Sequence, residues 1–332
     1  MKISILTYAS GIKENLYDKL KAMRLAVNIV DYHKPIEDQI SESNILINGL
    51  GQLNKSIIDM CPKLKLVHQI GTGTDNIDVS YCTSKSIYVA NVPHVNKISV
   101  AEHTIFLMIY LAKNIKHAQE GITQRRVVSV LGTELYDKTL TIVGLGSIGA
   151  EVAKRAKALG MNIIAITKRP QLRNKIVQNV TFTGKSNYTH ILDSFAVVDQ
   201  IRGIEDLEYA LTKSDYISIH TPLNNETESM IGVKEFSLMK RSCYLINVSR
   251  AHIVDKNALL QALTSRKIAG AGFDVYYEEP ANPSDKLLKL DNFIYTPHIA
   301  GWTMEATEIT TNVILNNIHL LLQGNKPHTV VN

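Results

Sequence analysis

The amino-acid sequence predicts an α/β protein that is built from two doubly wound domains. Short apolar segments alternate with helix-like stretches through most of the chain, and the alternation runs in two series, of which the second starts at Leu140. Strands that alternate with helices form parallel sheets covered by helices. The length of 332 residues points the same way, because chains of this size usually form more than one domain.

The first series supplies five predicted strands. They are the short apolar runs at residues 3–6, 28–30, 45–47, 66–69 and 87–90, with a helix predicted at 14–23 between the first two. A long apolar helix is expected to follow, over about residues 99–117, and to lead into the second series.

The second series predicts a doubly wound domain of six strands. These strands lie at residues 139–143, 162–166, 216–219, 244–247, 270–274 and 293–295, with a helix at 147–159 after the first of them. The last pattern, at residues 304–322, predicts one long helix, which Gly324 ends and Pro327 follows.

Composition and charge exclude several classes of protein. The net charge of +5 is spread along the chain and does not form the basic stripe of a nucleic-acid-binding protein, so no nucleic-acid partner is expected. The longest apolar runs, such as residues 104–112, are too short to span a membrane. The first eight residues predict a strand and not a signal peptide.

The three cysteines, Cys61, Cys82 and Cys243, are an odd number and show no CxxC spacing. They indicate neither a disulfide framework nor a zinc site, so no metal is expected. A reducing cytoplasm is the expected location.

A dinucleotide-binding fingerprint stands between a predicted strand and the helix after it. Residues 144–149 read G-L-G-S-I-G. Gly144 permits the tight turn, Gly146 lets the backbone approach the pyrophosphate, and Gly149 allows close packing of the helix. The phosphates are expected at the helix N-terminus. A glycine turn with only a structural role is the alternative, and it is disfavoured because the flanking strands and helix are all in place.

The strand after the fingerprint ends in Thr167, Lys168 and Arg169 and carries no acid. Fingerprints specific for NAD end this strand with Asp or Glu, which accepts hydrogen bonds from the ribose hydroxyls. Thr, Lys and Arg can instead donate to a 2′-phosphate, and charge-assisted bonds of about 1.5–3 kcal/mol each favour that ligand tenfold or more. NADP(H) is therefore favoured over NAD(H). In the alternative interpretation, Lys168 and Arg169 are solvated loop charges and the ribose is bound less selectively.

Three strings in the last third of the chain supply a cation, a carboxylate and an imidazole. They read N-V-S-R at residues 247–250, Y-E-E-P at 277–280 and T-P-H-I-A-G at 296–301. A pyridine-nucleotide dehydrogenase that acts on a 2-oxo or 2-hydroxy acid needs these groups: Arg250 neutralises the substrate, His298 moves the proton, and Glu279 keeps the imidazole charged. In this order after the fingerprint, the strings resemble the D-isomer-specific 2-hydroxyacid dehydrogenase family.

The resemblance implies a role for each site residue. Arg250 would grip the substrate carboxylate and the adjacent 2-oxygen, and His298 would be the general acid/base. The family places its acid directly before the proline, which favours Glu279 over Glu278. Asp274 resembles the residue that binds the nicotinamide carboxamide, with a strand-end cap as the alternative. The expected cofactor-binding residues are Gly144, Gly146, Ser147, Ile148, Gly149, Thr167, Lys168, Arg169, Thr221, Pro222, Val248, Asp274 and Gly301.

The first half of the chain carries the expected substrate loop. Residues 70–78 follow a predicted strand and read I-G-T-G-T-D-N-I-D, which is very close to the substrate loop of the family. Successive N–H groups in such a turn form an anion site, although a plain turn is the alternative. The expected substrate-binding residues are Gly71, Thr72, Gly73, Arg250 and His298.

The resemblance spans nearly the whole chain and implies its organisation. Residues 1–97 together with 299–332 would form the substrate-binding (catalytic) domain, and residues 98–298 the dinucleotide-binding domain. Both domains would be Rossmann-like or flavodoxin-like, with the cofactor and the active site in the cleft between them. The family pairs through its nucleotide domains, so a homodimer is expected. No regulatory domain is expected after Asn332.

The resemblance leaves three functions open. The favoured one is NAD(P)H-dependent reduction of a small 2-oxo acid, such as glyoxylate or hydroxypyruvate, to the D-2-hydroxy acid. An NAD-dependent D-3-phosphoglycerate dehydrogenase is the first alternative. A non-catalytic, NAD(P)-sensing corepressor-like protein is the second.

The chain departs from the family pattern at three places. Ala251 replaces the glycine that usually follows the arginine, and R-R-V-V at residues 125–128 replaces an aromatic-rich stretch. The segment 170–203 is longer than the usual link after the second nucleotide-binding strand, and residues 180–183 within it look strand-like.

Overall fold

The computed structural model describes residues 1–7, 10–49, 51–125, 131–170 and 197–332. This part of the chain divides into two compact units. Unit 1 comprises Met1–Asn96 and Trp302–Asn332, and unit 2 comprises Lys97–Gly301. The chain thus leaves unit 1 after Asn96 and returns to it at Trp302, which is its only tryptophan and is 48% exposed.

Twelve strands and eleven α-helices lie wholly within the described residues and are numbered in chain order. The strands are β1 (Lys2–Leu6), β2 (Ala26–Ile29), β3 (Ile45–Asn48), β4 (Leu66–Gln69), β5 (Tyr88–Ala90), β6 (Thr139–Val143), β7 (Asn162–Ile166), β8 (Gln200–Arg202), β9 (Tyr216–Ile219), β10 (Tyr244–Asn247), β11 (Gly270–Phe273) and β12 (Phe293–Tyr295). The helices are α1 (Ser10–Ala22), α2 (Glu37–Ile40), α3 (Lys55–Asp59), α4 (Val79–Ser84), α5 (Lys97–Ala112), α6 (Ile115–Thr123), α7 (Ser147–Ala158), α8 (Leu207–Lys213), α9 (Val233–Leu238), α10 (Lys256–Thr264) and α11 (Met304–Leu322).

The five strands of unit 1 run parallel, in the order β2-β1-β3-β4-β5. This is the flavodoxin-like order of doubly wound folds. Side chains alternate between the two faces of the sheet: Ile45 and Ile47 pack into one apolar cluster with α1 and α11, whereas Leu46 packs into a second cluster with Ile58 of α3. Both faces are therefore buried, which is why these strands are predominantly apolar in the sequence.

A buried polar pair ties the last helix to the sheet of unit 1. His68 in β4 is fully buried, and its Nε2 atom lies 2.9 Å from Nδ2 of Asn317 in α11. The amide nitrogen must donate, so Nε2 is the acceptor and Nδ1 carries the proton, which it donates to the carbonyl oxygen of Gln69 at 3.0 Å. Burial lowers the pKa of His68 to about 4, so the ring is neutral at physiological pH.

The seven strands of unit 2 are also parallel, in the order β12-β11-β10-β9-β6-β7-β8. Apart from the added edge strand β12, this is the Rossmann order, which reverses direction between β6 and β9. Leu107 of α5 and Val152 of α7 pack on one face, and Leu259 of α10 packs on the other. Open sheets of this kind bind ligands beyond the carboxyl ends of the strands, at the reversal.

The predicted α/β fold is confirmed. Both ends of each of the eleven predicted strands lie within two residues of the ends of an observed strand. Strand β8 is not among the predicted strands, because Q-I-R offers a single apolar residue at the edge of the sheet. The expected single helix over residues 99–117 is wrong: Asn114 adopts the left-handed conformation, with φ of 50°, and separates α5 from α6. The strand-like residues 180–183 lie outside the described residues, as do residues 126–128.

The three cysteines are free and buried. Burial raises the pKa of each thiol, to about 11 for Cys61 and Cys82 and further for Cys243. Within the described residues, His, Cys, Asp and Glu side chains form no group of three or more that could hold a metal ion. None of the described helices combines the length and the apolar character that a membrane span requires.

Candidate active site

The candidate residues of unit 2 follow the carboxyl ends of six neighbouring strands. Because the strands are parallel, these ends meet at one edge of the sheet, with roughly 4.8 Å between neighbours. In the order β7, β6, β9, β10, β11 and β12, the residues just beyond this edge are Thr167, Gly144, Thr221, Val248, Asp274 and Thr296. The candidates therefore form a row roughly 24 Å long, which suits an extended ligand such as a dinucleotide.

The glycine turn between β6 and α7 fits a dinucleotide. Gly144 has a φ of 102°, and a Cβ atom there would stand 2.5 Å from the carbonyl oxygen of His220. At Gly149 a Cβ atom would stand 2.3 Å from the carbonyl oxygen of Gly144. At Gly146, by contrast, it would meet nothing within 4 Å, which is the open approach that a pyrophosphate needs. Gly146 is also the N-cap of α7, and it has no side chain that could cap the first turn.

The loop after β7 places two cations and an unpredicted carboxylate at one end of the row. The N–H of Thr167 donates to the carbonyl oxygen of Arg202 in β8 at 3.0 Å. Lys168 forms an ion pair with Glu226, and both side chains are more than half exposed. Arg169 makes no hydrogen bond or ion pair with any described residue. Glu226, which follows β9 and is 58 residues from Lys168 along the chain, was not among the predicted residues.

The loops after β9 and β10 form the middle of the row. Thr221 and Pro222 follow β9, and the carbonyl oxygen of Pro222 accepts a hydrogen bond from Oγ1 of Thr227 at 2.7 Å. Val248 follows β10, where Oγ of Ser249 donates to the last carbonyl oxygen of β9 at 2.9 Å. These bonds fix both loops. The remaining cofactor candidates lie at the start of α7 and at the end of unit 2: Ser147, Ile148 and Gly301.

Arg250 lies in a loop that hydrogen bonds from Asn247 stabilise. Oδ1 of Asn247 accepts from the N–H of Ser249 at 3.0 Å, and Nδ2 of Asn247 donates to the carbonyl oxygen of Arg250 at 2.9 Å. Nη1 of Arg250 donates to the carbonyl oxygen of Ser249 at 2.9 Å. The guanidinium is thus held near the carboxyl end of β10, and Arg250 is partly exposed.

Glu279 and His298 form a hydrogen-bonded pair. Nδ1 of His298 lies 2.8 Å from Oε2 of Glu279, and Oε1 of Glu279 accepts from the N–H of Tyr276 at 2.8 Å. A carboxylate can only accept, so Nδ1 carries the proton of this bond and Nε2 is left for a ligand. The imidazole is 26% exposed, so the pair is sheltered but accessible. Glu278, the competing candidate, is exposed.

Neighbouring charges keep Glu279 ionised. Burial would raise the pKa of Glu279, but the hydrogen bond and charge of His298, the N–H of Tyr276 and the charge of Arg250 outweigh it, and the pKa is lowered. Glu279 is therefore a carboxylate at neutral pH.

Asp274 is buried, and its carboxylate holds the main chain beyond His298. Oδ1 accepts from Oγ1 of Thr296 at 2.6 Å and from the N–H of Ile299 at 3.0 Å, and Oδ2 accepts from the N–H of Ala300 at 2.8 Å. Three of the four acceptor positions of the carboxylate are thus taken, and one on Oδ2 is left that a carboxamide could use. This role of Asp274 in the His298 loop was not predicted.

Helix α5 contributes a further residue that was not among the predicted ones. Nε2 of His103 lies 2.8 Å from Oγ1 of Thr296 and 3.5 Å from Oδ1 of Asp274. No local motif indicates this contact, because 193 residues separate His103 from Thr296.

The predicted substrate loop lies in unit 1, after β4. The carbonyl oxygen of Gly71 accepts from the N–H of Val92 at 3.1 Å, and Oγ1 of Thr72 donates to the carbonyl oxygen of Val92 at 3.0 Å. The carbonyl oxygen of Thr72 accepts from Nδ2 of Asn91 at 2.7 Å. The turn is therefore held by its carbonyl groups. In the part of the chain that the structure describes, the N–H groups of Gly71, Thr72 and Gly73 donate to no other atom.

Comparison with known proteins yields a family whose chemistry suits these groups. The family model described as "D-isomer specific 2-hydroxyacid dehydrogenase, NAD binding domain" matches residues 105–198 and 193–300. Together these matches cover more than half of the chain.

Two relatives and one solved structure extend the similarity over most of the chain. A glyoxylate reductase of Thermococcus litoralis is 37% identical over 292 residues, which are 85% of this chain and 81% of that protein. A D-3-phosphoglycerate dehydrogenase of Methanocaldococcus jannaschii is 35% identical over 301 residues, which are 89% of this chain. The match spans about half the length of that relative, 53%. The structure of D-lactate dehydrogenase from Aquifex aeolicus, complexed with NAD and lactic acid, matches with a TM-score of 0.80 and 28% identity, over 98% of this chain and 96% of that one.

Proposed function

Because the chain belongs to the D-isomer-specific 2-hydroxyacid dehydrogenase family, we propose that it reduces a small 2-oxo acid of the glyoxylate or hydroxypyruvate type to the D-2-hydroxy acid, with a nicotinamide dinucleotide as hydride donor. The observation that carries this proposal is the pairing of His298 with Glu279 on the same sheet edge as the glycine turn. This edge combines a proton donor with a dinucleotide cradle. The D configuration is proposed from the family.

His298, Glu279 and Arg250 each have a part in the proposed reaction. The bound cofactor supplies the hydride that carbon 2 receives. His298 gives the proton on Nε2 to the 2-oxygen, and Glu279 stabilises the charged imidazole before the transfer. Arg250 binds the carboxylate and the 2-oxygen with its planar guanidinium. In the oxidation direction His298 takes the proton back.

We assign an anion-binding role to the turn of unit 1. Gly71, Thr72 and Gly73 offer three successive N–H groups, and such a run of donors binds an anion. Residues 1–97 with 299–332 would thus be the substrate-binding domain, and residues 98–298 the dinucleotide-binding domain. The last acceptor position of Asp274 would receive the nicotinamide carboxamide.

We further propose that NADP(H) is the preferred cofactor. Lys168 and Arg169 can donate to a 2′-phosphate, and the loop after β7 carries no acid. Glu226 opposes this preference, because it pairs with Lys168 and a 2′-phosphate would have to displace it. An exposed pair of this kind is worth about 1 kcal/mol or less, so displacement costs little. NAD(H) is the alternative, with Glu226 accepting from the ribose hydroxyls.

A D-3-phosphoglycerate dehydrogenase is the second candidate function. It is favoured by the 35% identity with the Methanocaldococcus jannaschii relative. The same Arg250, Glu279 and His298 would serve this reaction, and the two candidates differ in whether the substrate carries a phosphate.

We propose that the chain forms a homodimer through unit 2. Phe106 and Ile109 of α5 are 46% and 39% exposed, and Ile122 of α6 is 76% exposed. Exposed apolar side chains on two consecutive helices are typical of a protein interface. Light scattering after gel filtration should therefore find a dimer, which Phe106→Asp should weaken and Met304→Asp, on α11 of unit 1, should leave intact. A monomeric wild-type protein would contradict the proposal.

Initial rates test the proposed reaction. NADPH and NADH are compared against glyoxylate, hydroxypyruvate, pyruvate and 3-phosphohydroxypyruvate. Turnover of a small oxo acid with a preference for NADPH supports the proposal. Turnover of the phosphorylated substrate with NADH supports the second candidate. Cofactor binding without turnover of any substrate would favour a corepressor-like protein.

A further inference from the structure

Three hydrogen-bonded side chains link helix α5 to the loop that carries His298. They are His103, Thr296 and Asp274, with contacts of 2.8 Å and 2.6 Å between successive members. We propose that His103 is a positioning residue for His298, and that it acts through Thr296 on the carboxylate of Asp274. The proposal rests on the proposed role of His298 as general acid/base.

The protons available on each group fix the direction of the two hydrogen bonds, His103 to Thr296 and Thr296 to Asp274. The carboxylate of Asp274 accepts two main-chain N–H groups, and it also accepts the only hydroxyl proton of Thr296. Oγ1 of Thr296 can then only accept from Nε2 of His103. His103 must therefore carry a proton on Nε2. Burial lowers the pKa of His103 while the charge of Asp274 opposes that effect, so the neutral ring with Nε2 protonated is the donor.

The network ends on the main chain around His298. The N–H of His298 donates to the carbonyl oxygen of Asp274 at 2.8 Å, and the next two N–H groups, of Ile299 and Ala300, donate to its carboxylate. His298 has a φ of 55°, a left-handed conformation that residues with a Cβ atom adopt rarely, and these hydrogen bonds stabilise it here. Glu279 orients the imidazole through Nδ1, whereas Asp274 fixes the backbone from which the side chain starts.

His103 supplies a hydrogen-bond donor that orients the hydroxyl group of Thr296. A threonine hydroxyl can rotate among three staggered positions, and only one of these aims its proton at Asp274. The N–H donor of His103, on the other side of Oγ1, favours the position in which the hydroxyl proton points at Asp274. The imidazole of His103 is itself held in place, since its side chain is 15% exposed and its ring lies 5.5 Å from that of Phe106.

Two substitutions of matched length test the proposal. His103→Gln places an amide N–H where Nε2–H now lies, whereas His103→Met has a similar length and no donor. We expect His103→Met to lower kcat about tenfold and to change the KM of the oxo acid and the Kd of the cofactor less than twofold. His103→Gln should keep kcat close to the wild-type value. Deuterium exchange of the segment 298–301 should be faster in His103→Met than in the wild type and in His103→Gln.

A second pair of variants guards against a folding defect at position 103. Thr296→Ser keeps the hydroxyl and should resemble the wild type, whereas Thr296→Val removes it and should reproduce the effects of His103→Met. Equal losses of kcat in His103→Gln and His103→Met would overturn the proposal. So would a rate of deuterium exchange in segment 298–301 that is the same in both variants as in the wild type. The exchange measurement needs no turnover. A wild type without activity would therefore contradict the proposed function, while the exchange rates still decide the role of His103.

Discussion

Asp274 and His298 stand at the ends of neighbouring strands, β11 and β12, and the main-chain N–H of His298 donates to the main-chain carbonyl oxygen of Asp274 at 2.8 Å. The side chain of Asp274 then binds the next two N–H groups of the loop. The main chain at His298 is therefore held by contacts to which the His298 side chain does not contribute. A substitution at position 298 should remove the imidazole and leave the loop intact, which makes this residue well suited to a test of mechanism.

His298→Asn should lower kcat by about 10²–10⁴, because the general acid/base is lost. Asn is preferred over Ala for this test, because Asn tolerates the left-handed conformation with φ of 55°. Cofactor affinity, measured by titration of the bound nucleotide's fluorescence, should not change. His117→Asn, at an exposed histidine of α6, is the matched control. Near-normal turnover in His298→Asn would remove this residue from the proposed mechanism.

Arg250→Lys should raise the KM of the oxo acid and lower kcat together. A lysine ammonium cannot bind the carboxylate and the 2-oxygen with one planar group, and the loss of a charge-assisted bond should reduce kcat/KM roughly 10–100-fold. Steady-state kinetics with a fixed, saturating cofactor concentration measure both constants. Arg241→Lys, at an exposed position in the loop before β10, controls for the loss of a guanidinium as such. Unchanged kinetics in Arg250→Lys would exclude the bidentate contact.

Replacing both Lys168 and Arg169 with alanine should abolish a preference for NADPH and leave the kinetics with NADH nearly unchanged. Glu226→Gln should act in the opposite direction, because it frees Lys168 for a 2′-phosphate. The measured quantity is the ratio of kcat/KM for the two cofactors, and Glu226→Gln should raise it several-fold. A lower ratio in Glu226→Gln would mean that the ion pair supports the binding of NADPH.

The stability of unit 1 should fall as the pH drops below about 6.5, the pKa of an unperturbed histidine. In the folded protein burial lowers the pKa of His68 to about 4, so between these two values the unfolded chain binds a proton that the folded chain does not. This histidine should cost about 2 kcal/mol of stability at about pH 5 relative to about pH 7. Urea unfolding at the two pH values measures the difference. His68→Gln keeps an acceptor for Asn317 but does not titrate, so an identical pH dependence in this variant would contradict the assignment.

The three thiols should be almost inert in the folded protein. Cys61, Cys82 and Cys243 are buried, and burial raises the pKa of each, so the reactive thiolate is scarce. Ellman's reagent should label none of them within minutes under native conditions and all three in denaturant. Rapid native labelling of one thiol would show that its surroundings open locally.

The order of strands and helices could be predicted because most strands are buried on both faces. Such strands are mostly apolar, as at residues 45–47 of β3, and they stand out from the helices between them. Strand β8 lies at the edge of its sheet and lacks this pattern. The break between α5 and α6 depends on the backbone conformation of Asn114, which apolar periodicity does not indicate.

The candidate site was predicted where its residues follow strands, since parallel strands bring their carboxyl ends to one edge. The family resemblance that these residues suggested is confirmed. The contacts of His103 with Thr296 and of Lys168 with Glu226 could not be predicted in the same way. Each joins residues that are far apart in the sequence, and neither pair belongs to a common motif.

Trp302 gives the protein a built-in optical reporter. As the chain has one tryptophan, its indole emission arises from a single known position, four residues after His298 and at the point where the chain re-enters unit 1. The emission maximum of a partly exposed indole shifts in wavelength when the water around it is replaced. A reduced nicotinamide ring also absorbs light at the wavelengths that indole emits. A ligand that binds beside this indole should therefore change the emission of the unmodified protein.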